Sequence, residues 1–508
     1  MNNKLERKYG LITAICMVVG IVIGSGVFFK AQDVLKMTGG NMPLGILAWI
    51  IGGVVMIICA LNLANLGSHY EKVNGLVDYA EATVGKRYAY YVAWFSTFIY
   101  LPGMTSVLAW VSARYTVELF GLELGSGACL ALACFYLCGS YALNSLSPKL
   151  AGKFQVSTTF IKLIPLLVMA IVGTIAGLAN GTTIESFKTI SVTATGGNAS
   201  ALFAAVVATA FAYEGWIIAT SINSELKNSK KNLPIALTVG GIIIVVVYII
   251  YYIGLAGATD ITTLQNNGAP AAFEKLFGTI GGTALSVLIV ISCLGTLNGL
   301  MLASTRSLYS ISARNQGPKP DAVNEISRST NMPYNSAIVG LVACAAWLFY
   351  FYGANLFDAT YGYHYGEWAK ALKEGTITVE QLTASGLFSE EMIQKIVNAP
   401  SSIFGFFSFD SSELPIITIY AFYIPVFVMF IKKHGKENFV KNTLLPILGI
   451  IASAFMVFAA LWSHGITKYL DAKDNGYFSF PVLAYLIVFV VILAIGAFFY
   501  KKKNELDD

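Results

Sequence analysis

Apolar runs of about 20 residues, each long enough to cross a hydrocarbon core of about 30 Å as a helix, recur along nearly the whole chain. With 56% hydrophobic and only 12% charged residues, against about 25% charge in an average soluble domain, the sequence suits lipid as its solvent. It predicts an all-α polytopic membrane protein with about twelve spans, at 9–36, 43–69, 88–117, 124–145, 154–178, 199–225, 234–257, 282–312, 335–354, 413–432, 443–465 and 480–500. The first run follows Lys4, Arg7 and Lys8 like a signal sequence, but it is too long for one and lacks a convincing cleavage site, so it reads as a retained helix.

Lys and Arg resist translocation, and their distribution sets orientation. One set of loops, from Lys4, Arg7 and Lys8 through Lys227, Lys230 and Lys231 to Lys501, Lys502 and Lys503, holds 21 of the 33 basic residues. Both termini are therefore expected to be cytoplasmic, at a plasma (inner) membrane. The net charge of +5 follows mostly from this topology, and no basic soluble face is left for nucleic acid. The seven cysteines all fall inside predicted spans and read as small apolar fillers without metal-ligand spacing. There is no HExxH, and the four histidines, His69, His364, His434 and His464, lie near span ends or in loops. Neither an enzyme nor a metal or other cofactor is expected.

Loops between spans are mostly short, so residues 1–508 read as one transmembrane domain. The exception is 355–412, too polar for lipid and placed outside by the topology. Within this insertion, Thr378 with Gln381 forms a capping-box pattern and Ser389 with Glu390 and Glu391 a second helix start, predicting two short helices. Leu382, Leu387, Met392, Ile393, Ile396 and Val397 would supply their apolar faces.

Three features fit poorly with simple apolar spans. Gly20, Gly24 and Gly26 cluster within the first, where each glycine weakens a helix by about 1 kcal/mol relative to alanine. A break at Ile23, Gly24, Ser25 and Gly26 would expose backbone amides at the positive end of a second half-helix, suited to a carboxylate; the alternative is a small-residue packing face. In the sixth span, Phe211, Ala212, Tyr213, Glu214, Gly215 and Trp216 set a carboxyl group and a glycine far from either end. Glu214 should face a cavity or partner, where it and freed carbonyls suit an ammonium group; the alternative is a protonated helix–helix bridge. Lys162 stands nine residues beyond Lys153, roughly 13 Å deep in the fifth span. There it needs carbonyls or a carboxylate, or it sheds its proton. It could tie helices together, stand in for a coupling ion, or carry a proton.

The two interrupted spans each open a block of five, 9–178 and 199–432, leaving two further helices at 443–500; the interruptions lie about 190 residues apart. Paired interruptions in two halves point to a transporter site. Amides on one side and carbonyls on the other describe a site for an α-amino acid.

At these residues the chain resembles the amino acid–polyamine–organocation superfamily, and within it the L-type amino acid transporters. The resemblance rests on GIVIGSGVF in the first span, FAYEGW and SELKNSKKNLPIA at and after the sixth, VNGLVDYAEATVGK after the second and TRSLYSISARNQGPKP after the eighth. It covers most of residues 9–335. It implies a leucine-transporter-like fold of two inverted five-helix repeats plus two helices, and alternating access. It also implies that Ile23, Gly24, Ser25 and Gly26 hold a substrate carboxylate while Phe211, Ala212, Tyr213 and Glu214, with Gly215 and Trp216 beside them, meet the amine, Phe211 being the gate. Lys162 resembles the family's fifth-helix lysine, which stands where sodium-coupled relatives bind an ion. Leu76 in place of a second glycine, the charge at Glu214 and the insertion depart from the pattern. The outer loop 118–125 lacks the cysteine that animal relatives use to join a heavy chain, so no ancillary subunit is expected. The expected function is sodium-independent exchange of small neutral amino acids. Proton-coupled symport of neutral or cationic amino acids, and sensing on a transporter scaffold, are the alternatives.

Overall fold

A computed structural model describes residues 10–70, 75–122, 127–188, 197–216, 226–327, 332–356, 377–386, 407–474 and 479–500, with single positions at 330, 372, 393 and 404. Ten helices among these residues are long and apolar enough to cross a membrane. Two shorter apolar helices, at Leu11–Gly20 and Gly197–Ala212, stand at the first and sixth predicted spans. The segments too short to cross alone are thus the two in which the sequence places an interruption.

In chain order the elements used below are α1 (Leu11–Val22), α2 (Gly26–Met37), α3 (Met42–His69), α4 (Lys86–Leu119), α5 (Gly127–Leu146), α6 (Pro148–Ile161), α7 (Leu163–Asn180), α8 (Gly197–Ala212), α9 (Ser229–Ala258), α10 (Ile261–Ser312), α11 (Tyr334–Ala354), α12 (Val379–Ala384), α13 (Leu414–His434), α14 (Val440–Leu470) and α15 (Pro481–Phe499). Side chains divide as expected for a bundle in lipid. Phe135, Ile175, Val342, Val490 and Phe498 point outward, while Ser106, Ser112, Asn144, Asn298 and Thr305 are buried.

Several helix starts follow from local chemistry. Asn41 caps α3 by accepting from the Leu44 amide at 3.1 Å, and Pro43 sits in the first turn, where no amide is missed. Asp260 caps α10 through the Thr263 amide at 2.8 Å and hydroxyl at 2.7 Å. These bonds hold its carboxyl below the usual carboxylate range. The cap therefore stabilises above the unfolded-state value of about 4 and is lost as pH falls through the lower folded value.

One stretch goes beyond the sequence expectation. The eighth span was expected to begin near 282, yet helix starts at Ile261 and runs in three pieces, turned at Gly268 (φ 66°) and Gly278 (φ 70°). Only glycine enters that left-handed region at no steric cost, and these turns lay the leading pieces beside the bundle. In the insertion, α12 has the expected capping box between Thr378 and Gln381, and both Leu382 and Ile393 are buried. The second expected helix start, at Ser389, lies outside the described residues, as do Leu387, Met392, Ile396 and Val397.

Helices α7 and α9 meet backbone to backbone. A methyl at Gly177 would stand 2.2 Å from the Gly257 Cα, and one at Gly257 would stand 2.5 Å from the Gly173 carbonyl oxygen. Small residues permit this approach, and dispersion and packing hold it where lipid offers no hydrophobic drive. Gly177→Val is expected to cost about 1–3 kcal/mol, because its new atoms meet backbone that cannot rotate aside. Thermal unfolding of the detergent-solubilised protein, compared with wild type, checks this.

Candidate functional site

The first span stops being helical at Ile23, which adopts an extended conformation (φ −65°, ψ 98°), and resumes at Gly26 after Ser25. The Ile23 amide still bonds to the Val19 carbonyl at 2.9 Å. The amides of Ser25, Gly26 and Val27 have no backbone acceptor among the described residues. They cluster at the head of α2, whose dipole favours an anion there. Ile23, Gly24, Ser25 and Gly26 are all buried.

The sixth span ends its helix at Ala212. The Glu214 amide turns back to the Phe211 carbonyl at 3.3 Å, and Gly215 takes φ 107°, a conformation that suits glycine. Residues 217–225 lie outside the described ones.

The fold brings these two interruptions into contact. A methyl at Gly26 would stand 2.9 Å from the Ala212 Cα and 3.2 Å from the Phe211 carbonyl oxygen, so any side chain there would part the two breaks. The Phe29 and Phe211 rings meet edge to face at 5.1 Å. Tyr248 of α9 reaches both breaks with one hydroxyl, 3.0 Å from the Ala212 carbonyl and 3.3 Å from that of Val22. That single donor answers two carbonyls that the unwound backbone leaves open. From the other side, Thr296 of α10 lies against Gly24, its hydroxyl oxygen 3.5 Å from where a methyl would be.

Lys162 sits at the joint between α6 and α7 and is 6% exposed. Its ammonium donates to the Gly20 carbonyl at 2.6 Å. The cation thus binds the last turn of α1 just before the break, as a buried lysine requires.

Glu214, Tyr213 and Trp216 take roles more particular than their sequence suggested. Glu214 is half-buried and accepts a hydrogen bond from the Tyr100 hydroxyl of α4. Its carboxyl faces helices α4 and α13. Tyr213 turns its hydroxyl to the Trp49 carbonyl at 2.8 Å and packs its ring between Trp49 and Tyr248, bracing α8 against α3. Trp216 is buried against Tyr423 at 5.8 Å between ring centroids. Tyr100 closes a short π-helical stretch, Ser96–Tyr100, within α4; such bulges re-aim side chains and cluster at functional sites.

Sequence reasoning missed a buried charge cluster on the other side of Phe211. Lys30, 3% exposed, donates to the Glu413 carboxylate at 2.6 Å and lies 3.3 Å from Asp33. Its ammonium also sits 5.6 Å from the centroid of the Phe211 ring. The second Glu413 oxygen meets His464 Nε2 at 2.9 Å, and His464 belongs to another π-helical stretch, Leu461–Thr467. Asp410 fixes the backbone at Glu413 by accepting its amide at 2.9 Å. The signal available was Lys30 itself, a cation one helical turn after Gly26 within a predicted span.

The sequence model of the family described as amino acid permease matches residues 9–504. The serine/threonine exchanger SteT of Bacillus subtilis (strain 168) is 32% identical over 337 residues, covering 66% of this chain and 74% of that one. The human cystine/glutamate transporter is 26% identical, with 66% of each chain covered. The crystal structure of a manganese transporter mutant (H236A) from Eremococcus coleocola is similar over 97% of this chain and 96% of that one, with a TM-score of 0.55 and 12% identity. That likeness bears on fold alone, and it agrees with the leucine-transporter-like class expected from the sequence.

Tyr248→Phe removes the donor that serves both breaks while keeping the ring. It is expected to destabilise the protein by about 1–3 kcal/mol, the cost of leaving a buried carbonyl unpaired. A melting temperature lowered relative to wild type at unchanged helical circular dichroism is the readout.

Proposed function

The chain belongs to the amino acid permease family, a family of membrane transporters and not of enzymes, and from that premise we propose that it exchanges small neutral L-amino acids across the membrane without sodium. The observation that carries the proposal is the meeting of two broken helices at Gly26 and Ala212, with amides that have no backbone acceptor among the described residues on the first and, on the second, the Phe211 and Ala212 carbonyls, each of which accepts one hydrogen bond and keeps a second lone pair. Such an arrangement offers hydrogen-bond donors to a carboxylate and acceptors to an ammonium group within one buried site. In this reading Ile23, Gly24, Ser25 and Gly26 bind the carboxylate, Phe211, Ala212, Tyr213 and Glu214 form the amine side, and Gly215 and Trp216 give the backbone its turn and its anchor. Phe211 closes the site, with Lys30 and Glu413 behind it.

Lys162 supports sodium independence. Its ammonium already supplies positive charge to the Gly20 carbonyl, which a bound cation would otherwise do. Exchange follows the name of SteT, a serine/threonine exchanger. The proposal divides the chain into repeats at about 9–178 and 199–432, with helices 443–500 added. It sets both termini on the cytoplasmic side of a plasma membrane, in keeping with the 21 basic residues of one loop set. No ancillary heavy chain is required, since loop 118–125 carries no cysteine.

Proton-coupled uptake is the second reading, favoured by Glu214. It lies deep in a span with a tyrosine hydroxyl as its partner and no ion pair among the described residues, so a proton could neutralise it during the cycle.

Proteoliposomes separate the two readings. Uptake of labelled serine is expected to rise several-fold when serine or alanine is loaded inside, and to be unchanged when sodium is replaced by choline. Uptake that ignores internal substrate but follows an imposed pH gradient overturns exchange. Competition by arginine, leucine, serine and γ-aminobutyrate against the same tracer tests the substrate class, and failure of all four to compete or bind ends the amino acid reading. Lys162→Ala, which leaves the Gly20 carbonyl without its charged donor, is expected to lower exchange by about tenfold or more, in line with the 1.5–3 kcal/mol of a charged hydrogen bond.

A further inference from the structure

We infer that His69, His434 and Glu437 form a binding site for a transition-metal dication of the zinc type, where the ends of α3 and α13 meet at the basic-loop end of the bundle. Among the described residues this is the one group of three or more histidine, cysteine or acidic side chains whose ligand atoms all lie within 4.8 Å of one another.

Hydrogen bonding orients each ring. His69 Nδ1 lies 3.0 Å from the Asn65 carbonyl, which can only accept, so Nδ1 carries a proton and Nε2 is the nitrogen left to take a metal. Nε2 faces a Glu437 carboxylate oxygen at 3.4 Å. Either a proton or a metal ion can bridge these two atoms, and 3.4 Å is long for a direct N–H···O bond. The donor within reach is the Asn442 amide, at 3.4 Å from His69 and 3.5 Å from Glu437, both at the long limit of a hydrogen bond. Ligands about 2.0–2.1 Å from a tetrahedral zinc ion stand roughly 3.3–3.4 Å apart, so the His69–Glu437 separation is already the edge of such a tetrahedron.

His434 completes the set. Its Nδ1 is 2.7 Å from the other Glu437 oxygen and its Nε2 is 2.8 Å from the Tyr70 hydroxyl. When a metal takes Nδ1, the ring proton moves to Nε2 and is donated to the Tyr70 oxygen. Each ring then binds metal through one nitrogen and a fixed oxygen through the other, the support found around metal-ligating histidines. Two imidazoles and a carboxylate select zinc or cobalt over magnesium or calcium, which favour oxygen ligands alone. All three side chains keep accessible surface, so the ion has a route in. A bound ion would clamp the end of α3 to the end of α13.

The test uses the full, tag-free chain in lipid nanodiscs. Wild type is expected to take one Zn²⁺ from a chromogenic chelator and to melt several degrees higher with Zn²⁺ but not with Mg²⁺. Co²⁺ should give the intense visible absorption of tetrahedral coordination. His69→Gln and His434→Gln should each abolish saturable binding and the Co²⁺ spectrum, while His364→Gln, in the insertion, retains both. Tyr70→Phe keeps all three ligands and should bind about tenfold more weakly, so the assignment stays testable if a ligand variant folds poorly. Wild type without saturable Zn²⁺ binding, or binding that survives loss of both histidines, overturns the site. None of these readouts depends on which solute the protein carries.

Discussion

A peptide group in the bilayer interior must find its hydrogen bond within the protein, and the arrangement of this bundle turns on how two interrupted helices meet that demand. The carbonyls released at Val22 and Ala212 share the Tyr248 hydroxyl, and the Gly20 carbonyl receives the Lys162 ammonium. Closeness of the two breaks, set by the absent side chain of Gly26, lets one hydroxyl serve both. The amides of Ser25, Gly26 and Val27 have no backbone acceptor among the described residues. At Gly20, Val22 and Ala212 the carbonyls are answered by side chains of other helices, whereas the positive end of the α2 dipole falls on amides that are not.

The interruptions were legible in the sequence because their chemistry is local. Glycine spacing in the first span and a carboxyl group next to glycine in the sixth are anomalies against an apolar background, as is Lys162 at depth. Partners were not legible, because each comes from elsewhere in the chain. Tyr248 and Tyr100 sit in apolar spans where a tyrosine reads as packing, and nothing local marks their hydroxyls as aimed at Ala212 or Glu214. Lys30 and Glu413 are 383 positions apart, and His69 and His434 nearly as far, so only the tertiary fold makes a cluster of either pair. The extra helical pieces after Ile261 were missed for another reason: their polar, glycine-broken pattern matches neither a span nor a regular amphipathic helix.

A buried charge cluster lies on the far side of Phe211. Lys30 and Glu413 are almost wholly buried, and a buried ion pair keeps its balance only while both partners stay in place. Separating α2 from the start of α13 would leave Lys30 with Asp33 on its own helix, and Glu413 with His464 and Asp410 on the other side.

The glycine contact between α7 and α9 bears on motion as much as on packing. Backbones that touch at Gly177 and Gly257 leave no layer of side chains to act as bearings. Sliding one helix by a turn would drive the side chains flanking those glycines into the opposing main chain. The contact therefore locks the register of the two helices against each other at these positions. Because α9 carries Tyr248 and the joint at Lys162 heads α7, this register ties together the two helices that supply the lysine to Gly20 and the tyrosine to Val22 and Ala212, so both ends of the unwound backbone are held from one helix pair.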